Sequence, residues 1–552
     1  MWASFVSRKT CIQEHDDIPR VFDLISLLAV GVGGTVGSGI FVLSGTIASC
    51  CAGVYTYMSW LIAGTVCLVT ALAYAELSHI IPSGGSTYSF AYNGLGQIFA
   101  VLGAGLLVLE YGFSGAAVAR SWGDKSAFYL SQLGIAGCDH RDCWVNSLHG
   151  SPVNPAAGLL SLIVILVLLG NVQLGRIALN IMVGVKLLLV IFVIIVGGVY
   201  FDADNMLVQQ SSIEGTNGII TGAALAFFGF IGFDEVTCLT LEAVNPARNV
   251  PMAVIGTLVI ITLLYVAASV VLVGMADFNR IDQDEGFGSA FHAVGADWAM
   301  HVVMVGQIFV VLPAVVFVSY LPQSRLLYSI SKDELLPRLF SQVEPNGCIF
   351  YGTLISGTLM TIVALFVPFK DLDNMICAGI LLSFILTNVS LLFIRYRELR
   401  SPTLGAYKSS LKSSSPAVED ACGVGFGYSI LFFTMLSGVH SYFLLYEFGS
   451  IAQILFGIAT FISFIGIWFA YFRRLPRPEK EKVFLVPGVP LVPAIAIHSN
   501  WCLFAEIPPD GMIQLGFYLF VLLVLYIGYK VVDLRRFKHS RVATEDSSIE
   551  MT

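Results

Sequence analysis

Three ionisable residues stand inside long apolar stretches: Glu110 in "LEY", Lys186 in "NIMVGVKLLLVIFVIIVG" and Asp234 in "FFGFIGFDEV". A charge at the centre of a bilayer costs about 2.5–3.5 kcal/mol even on the lenient insertion scale, so such residues pair with one another, line a polar cavity or move protons. That chemistry is binding, coupling or gating rather than bond making. No apolar stretch pairs a nucleophile with a plausible base, and there is no GxxxxGK phosphate cradle and no recognisable spacing of catalytic carboxylates. The cysteines form no CxxC pair and no Cys/His cluster, the patterns a metal site needs. The expectation is a chain that is not an enzyme and uses neither metal nor cofactor.

The backbone supplies a second kind of chemistry. "GVGGTVGSGIFVLSG", residues 31–45, puts helix breakers in the first apolar segment, and "FFGFIGFDEV", Phe227 to Val236, repeats the pattern five segments later. Backbone at membrane depth must satisfy its own polar groups unless it lines an enclosed cavity, so a glycine-rich interruption predicts an unwound helix offering free N–H and C=O groups. The competing reading of the first run is close helix packing through small residues. Paired interruptions in two five-span halves point to an inverted repeat with its site at the midplane. Half-helix N-termini suit a carboxylate and unwound carbonyls suit an ammonium, a combination that fits an α-amino acid.

The elements that must position these groups follow from composition. Charged residues are 12% of the chain and hydrophobic residues 56%, with a mean hydropathy of +0.82. A soluble domain carries about 25% charged residues, so this is an integral membrane protein. The net charge of −8 excludes a nucleic-acid partner, which needs a basic face. Stretches of roughly 20 apolar residues, the length that crosses the hydrocarbon, number fourteen: Phe22–Ile47, Gly53–Leu77, Gln97–Trp122, Ala156–Val172, Ile181–Phe201, Gly218–Thr240, Met252–Ala276, Met300–Leu321, Tyr351–Val367, Leu372–Phe393, Gly425–Tyr446, Ile451–Phe472, Pro487–Phe504 and Ile513–Val532.

The first residues lack the apolar core and cleavage site of a signal peptide. With the N-terminus in the cytoplasm, the outer loops receive only Arg120, Lys125, Arg141, Arg280 and Lys370 of the 29 basic residues, as the positive-inside bias requires. The even span count returns the C-terminus to the same side. Cys138 and Cys143 in "CDHRDC" then fall outside, where a disulfide is possible and two free thiols are the alternative. The expected organisation is a cytoplasmic segment 1–21, a ten-span core 22–393, a cytoplasmic linker 394–424 containing "SSLKSSSPAVED", four further spans in 425–532, and a disordered cytoplasmic tail 533–552.

Several motifs in order, "GVGGTVGSGIFVLSG", "AYAELSHIIPSGGSTYSFAY", "LEYGFSGAAVARSW", "FFGFIGFDEV", "EAVNPARNVPMAV", "LPQSRLLYSISKDELLP" and "FLVPGVPLVPAIAI", together resemble the cationic amino acid transporter family of the amino acid–polyamine–organocation superfamily. Each motif is weak alone; the set covers most of the chain. The resemblance implies an all-α, leucine-transporter-like fold: a 5+5 inverted repeat with discontinuous first and sixth spans, plus four additional spans, working by alternating access. In that fold the binding site lies between the broken helices, near the middle of the bilayer. The resemblance further implies that a substrate carboxylate meets the backbone around Gly37, Ser38 and Gly39. The α-amine would meet carbonyls near Thr35, Phe228 and Ile231, with Phe228 as an aromatic lid and Gly232 permitting the break.

The ionisable residues keep two readings each. Lys186 resembles a lysine whose ammonium, in some bacterial members, replaces a sodium ion and holds the first and eighth spans together, which implies sodium independence and proton coupling or facilitated exchange; the alternative is snorkelling. Glu110 matches a glutamate of part of the family, either facing a cationic side chain, protonating during coupling, or structurally satisfied. Asp234 and Glu235 act in gating or cap the following half-helix. Glu76 and Glu242 are inner-side structural or gate residues, and Arg325 closes the inner gate with one of them. The expected substrates are cationic amino acids such as L-arginine, L-lysine and ornithine. Neutral amino acids or polyamines are the alternative cargo, and a non-transporting amino acid sensor is the alternative class. The bilayer itself is the expected surrounding partner, and the sequence specifies no protein partner. The expected location is the plasma membrane or a vacuolar or lysosomal membrane.

Overall fold

A computed structural model describes residues 20, 22–37, 39–132, 134, 138–139, 142–143, 153–170, 172–207, 215–283, 285–344, 349–398, 416–445, 450–472 and 484–549. Ten runs are long and apolar enough to cross a membrane. One of them, Leu24–Ile80, turns back at Gly53, where φ is +57°, and so contains two helices. Three shorter apolar helices, Pro155–Gly170, Phe350–Phe366 and Leu491–Ala505, complete the fourteen spans expected, among the described residues. The protein is a multi-pass membrane protein.

The ends of the spans differ from the expected ones where polar residues continue a helix beyond its apolar stretch. The eighth span runs Asp297–Lys332, well past Leu321. The tenth reaches Glu398 and the eleventh begins at Pro416, which leaves a linker shorter than 394–424. The last helix is Pro509–Ile549, so its backbone is helical through most of the segment expected as an irregular tail. Hydropathy marks only the part of a helix that lies in hydrocarbon, and helical propensity carries the backbone further.

Repeat mates pack on each other. The second span (Thr56–Ile80) lies along the seventh (Pro246–Met275), the third (Gln97–Gln132) along the eighth, and the fourth along the ninth. Small residues permit these approaches: Gly64 faces Thr262, Gly115 faces Tyr320, and Gly158 and Gly357 reciprocally face Leu365 and Ile165. Without a hydrophobic force between helices in lipid, such close backbone packing is what holds them. Mates that touch in pairs are the arrangement a two-fold inverted repeat produces, and the fold is the leucine-transporter-like one. The eleventh span packs on the twelfth and the thirteenth, the thirteenth and fourteenth pack on the tenth, and the fourteenth also lies along the third. The eleventh, twelfth and fourteenth are only 17–22% buried where the Leu24–Ile80 run is 76%, so these three lie at the periphery with most of their apolar surface turned outward, while the thirteenth buries Ala494, Ile497 and Asn500 against the core.

The first span enters beside Glu242. Phe22 donates to the Glu242 carbonyl at 3.0 Å and accepts from Val244 at 2.8 Å, and the Asp23 side chain caps the helix by accepting from the Ser26 N–H at 2.9 Å. Spans alternate in direction from here. The side bearing Phe22 is called the N-terminal face below, and the other the opposite face.

Candidate substrate site between two broken helices

The first span is helical over Leu24–Thr35, interrupted, then rewound as a wide π-type helix from Gly39 to Leu43. The sixth is helical over Gly215–Ala226, tightens into Phe227–Phe230, breaks, and resumes at Glu235–Cys238. Gly232 sits in that break at φ +114°, a conformation that L side chains rarely adopt. A Cβ there would also lie 2.7 Å from the Gly34 carbonyl carbon.

The glycine run packs as well as unwinds, so both readings of it hold. Added Cβ atoms would strike the seventh span at Gly31 (Thr257), the fifth at Gly33 (Val183), the sixth at Gly34 (Glu235), and the eighth at Gly37 (Val315). At Gly39 the collision is with the backbone of Gly229. The two breaks therefore touch backbone to backbone.

Between them lies a cavity lined by Gly34, Thr35, Gly37, Gly39, Ser114, Val118, Phe228, Ile231, Val315 and Ser319. Of the residues expected at the site, Thr35, Gly37, Gly39, Phe228 and Ile231 are brought together here. Gly232 shapes the break beside them, and Ser38 lies outside the described residues. The free volume is ≈ 10 Å³, room for about one water. An amino acid enters only if the surrounding helices spread. Phe228 is buried, and its ring meets Phe369 edge-on at 5.6 Å.

The sequence reading missed the hydroxyls. Tyr265 of the seventh span donates to the Thr35 carbonyl at 2.7 Å and lies 3.1 Å from that of Gly229, so one phenol serves a carbonyl from each broken helix. The signal was available: a tyrosine inside "VIITLLYVAASVV" must find a partner for its hydroxyl. Ser114 and Ser319, from the third and eighth spans, supply the lining's other side-chain hydroxyls besides Thr35. Ser114 follows Glu110 by one turn and donates to its carbonyl.

Among the described residues, no charged one lines the cavity. The ionisable groups form a separate buried cluster on its N-terminal side. Tyr111 donates to Asp234 at 2.5 Å. Glu110 lies close enough to Asp234 for the two carboxyls to interact, but both its oxygens are outside hydrogen-bond geometry. Asp234 thus faces Tyr111 rather than the N-terminus it precedes, and it makes no side-chain cap. Lys186 is fully buried and donates to the Gly33 carbonyl at 2.5 Å, with Glu235 in electrostatic range. It ties the fifth span to the last turn before the first break. This is a buried partner rather than the cytoplasmic edge that snorkelling requires.

Arg325 lies apart from the cavity and pairs with Glu242 at 2.9 and 3.0 Å. Glu76 is paired with Arg395, whose Nη2 donates at 2.9 Å, and accepts from the Val486 N–H at 2.6 Å. The backbone ladder sets Cys138 opposite Cys143, and their side chains lie outside the described ones. Among the described residues no group of three or more His, Cys, Asp and Glu could hold a metal ion.

Comparison with known proteins accords with this geometry. Residues 22–414 match the amino acid permease family and residues 484–533 the C-terminus of AA_permease. The mouse cationic amino acid transporter 4 is 28% identical over 93% of this chain and 87% of its own length. The Arabidopsis thaliana cationic amino acid transporter 3, mitochondrial, is 29% identical over 93% and 91%. A branched-chain amino acid permease of Bacillus subtilis is 31% identical over 71% and 86%. With a family match spanning most of the chain and a cavity built from two broken helices, the chain belongs to the amino acid permease family, resembles the cationic amino acid transporters of the amino acid–polyamine–organocation superfamily throughout, and is a membrane transporter rather than an enzyme.

Proposed function

We propose that this protein moves cationic amino acids such as arginine, lysine and ornithine across a membrane by alternating access, independently of sodium. The observation that carries amino acid transport is the meeting of two unwound segments around one cavity, and the choice of cationic cargo is supported by the similarity to cationic amino acid transporters. The backbone around Gly37 and Gly39, where the first span rewinds, suits the substrate carboxylate, and carbonyls at Thr35, Phe228 and Ile231 suit its ammonium. The Tyr265 hydroxyl marks the carbonyl positions an ammonium would share. Phe228 acts as the lid.

Lys186 supports sodium independence, because its ammonium already holds a carbonyl beside the first break. Glu110 and Asp234 are the groups through which a proton gradient would act, while Arg325 with Glu242 closes the inner mouth. The excess of basic residues on the N-terminal face supports cytoplasmic termini in the plasma membrane or a vacuolar or lysosomal one.

A second reading, neutral amino acid transport, is favoured by the absence of any carboxylate from the described cavity lining and by the similarity to a branched-chain permease. Uptake of labelled arginine and labelled alanine into proteoliposomes separates the two, run with sodium or choline and with or without an inward proton gradient. Saturable arginine uptake unchanged by choline is expected. Robust alanine uptake without arginine uptake would overturn the cationic reading, and saturable binding without flux of either would make the protein a sensor.

A further inference from the structure

The cavity recognises what all amino acids share, so a cationic side chain must be read elsewhere. Asp373 lies in the tenth span, on the opposite face from Phe22, and is only 6% exposed. Among the described residues its carboxylate has no basic partner. Its polar contact is the Cys377 thiol, 3.7 Å from Oδ1, and Lys370, one turn earlier, is exposed and forms no ion pair with it. A nearly buried carboxylate without a cation is costly and is retained where a cation arrives.

Its surroundings point to the substrate path. One turn before Asp373, the Phe369 ring packs on Phe228, which itself lines the cavity. One turn after it, Cys377 lies 4.0 Å from the carbonyl of Leu225, in the last turns of the outer half of the sixth span. The helix continues through Phe230 before it breaks, and its negative pole is directed at that break. Carboxylate and helix end together make an anionic spot beside the lid.

We propose that Asp373 is a specificity residue for cationic amino acids, pairing with the side-chain ammonium or guanidinium as the substrate passes Phe228. The inference rests on the cationic reading above. A neutral amino acid makes no such contact, and its transport is indifferent to the residue.

The test compares the wild-type chain with Asp373→Asn and Asp373→Glu, using initial-rate uptake of labelled arginine and labelled alanine in proteoliposomes. Asp373→Asn is expected to raise the arginine KM at least about tenfold, as expected for losing one partner of a desolvated charge pair. Asp373→Glu should restore most of it, and the alanine KM should stay put in both. Thermal unfolding in detergent with added arginine gives an independent readout: stabilisation by arginine should shrink in Asp373→Asn even where flux is lost. An unchanged arginine KM in Asp373→Asn, or equal loss for arginine and alanine, overturns this inference and leaves the cationic reading intact. A wild-type protein that carries alanine and not arginine overturns both.

Discussion

Glu76 and Glu242 each meet an arginine near the N-terminal face, yet Glu76 is fully buried, whereas Glu242 and Arg325 retain 16% and 22% side-chain exposure. The Glu76 carboxylate joins three parts of the chain: the second span that bears it, Arg395 of the tenth, and the Val486 N–H before the thirteenth. Glu242 joins two, the end of the sixth span and Arg325 of the eighth, beside the strand-like contact with Phe22. A fully desolvated pair cannot be opened and closed cheaply, while one that keeps some contact with water exchanges partners at lower cost. On the proposal that Arg325 and Glu242 close the inner mouth, the difference separates an anchor for the appended spans from a latch that can cycle.

Breaking the anchor should have the largest effect. Arg395→Ala leaves the Glu76 charge buried and uncompensated and should destabilise the protein by about 3–5 kcal/mol, seen as a lower unfolding temperature in detergent. Combining it with Glu76→Gln should recover much of the loss, because the orphan charge is then gone. Failure of the second change to rescue would mean that packing rather than charge sets the cost.

An uncharged buried contact gives the intermediate scale. Tyr265→Phe removes the hydroxyl shared by the Thr35 and Gly229 carbonyls and should cost about 1 kcal/mol by the same measurement. Breaking the latch should cost least: Arg325→Ala is expected to change stability by under about 1 kcal/mol. Its effect should instead appear in transport, as an altered initial rate with an unchanged unfolding temperature. A large drop in stability there would erase the distinction between latch and anchor.

Much of this was legible because membrane chains write their constraints locally. Apolar length gave fourteen spans, the interruptions at Gly31–Gly45 and Phe227–Val236 gave the breaks, and the family resemblance gave five of the lining residues. Legibility failed where the partner is remote in sequence. Tyr265 serves Thr35 across 230 residues, and Glu76 serves Val486 across 410; nothing adjacent announces either pairing. Span ends failed for another reason, since helices such as Phe369–Glu398 outlast the hydropathy that marked them. Asp234 was legible as a charge out of place, but that its side chain turns to Tyr111 rather than to the helix it precedes depends on how the third and sixth spans are set together.

The phenol of Tyr265 has a consequence for the unloaded carrier. A transporter that exposes bare carbonyls when vacant must either stay open to water or pull water along when it closes. On the proposed reading, the Tyr265 hydroxyl holds the Thr35 carbonyl that the substrate ammonium would meet and lies within reach of that of Gly229. With the substrate ammonium's site placed there, the return stroke without freight becomes less costly, and the same hydroxyl sets the threshold an arriving ammonium must beat. On that reading, one side chain on a helix that does not itself break helps fix the balance between one-way passage and strict one-for-one trade.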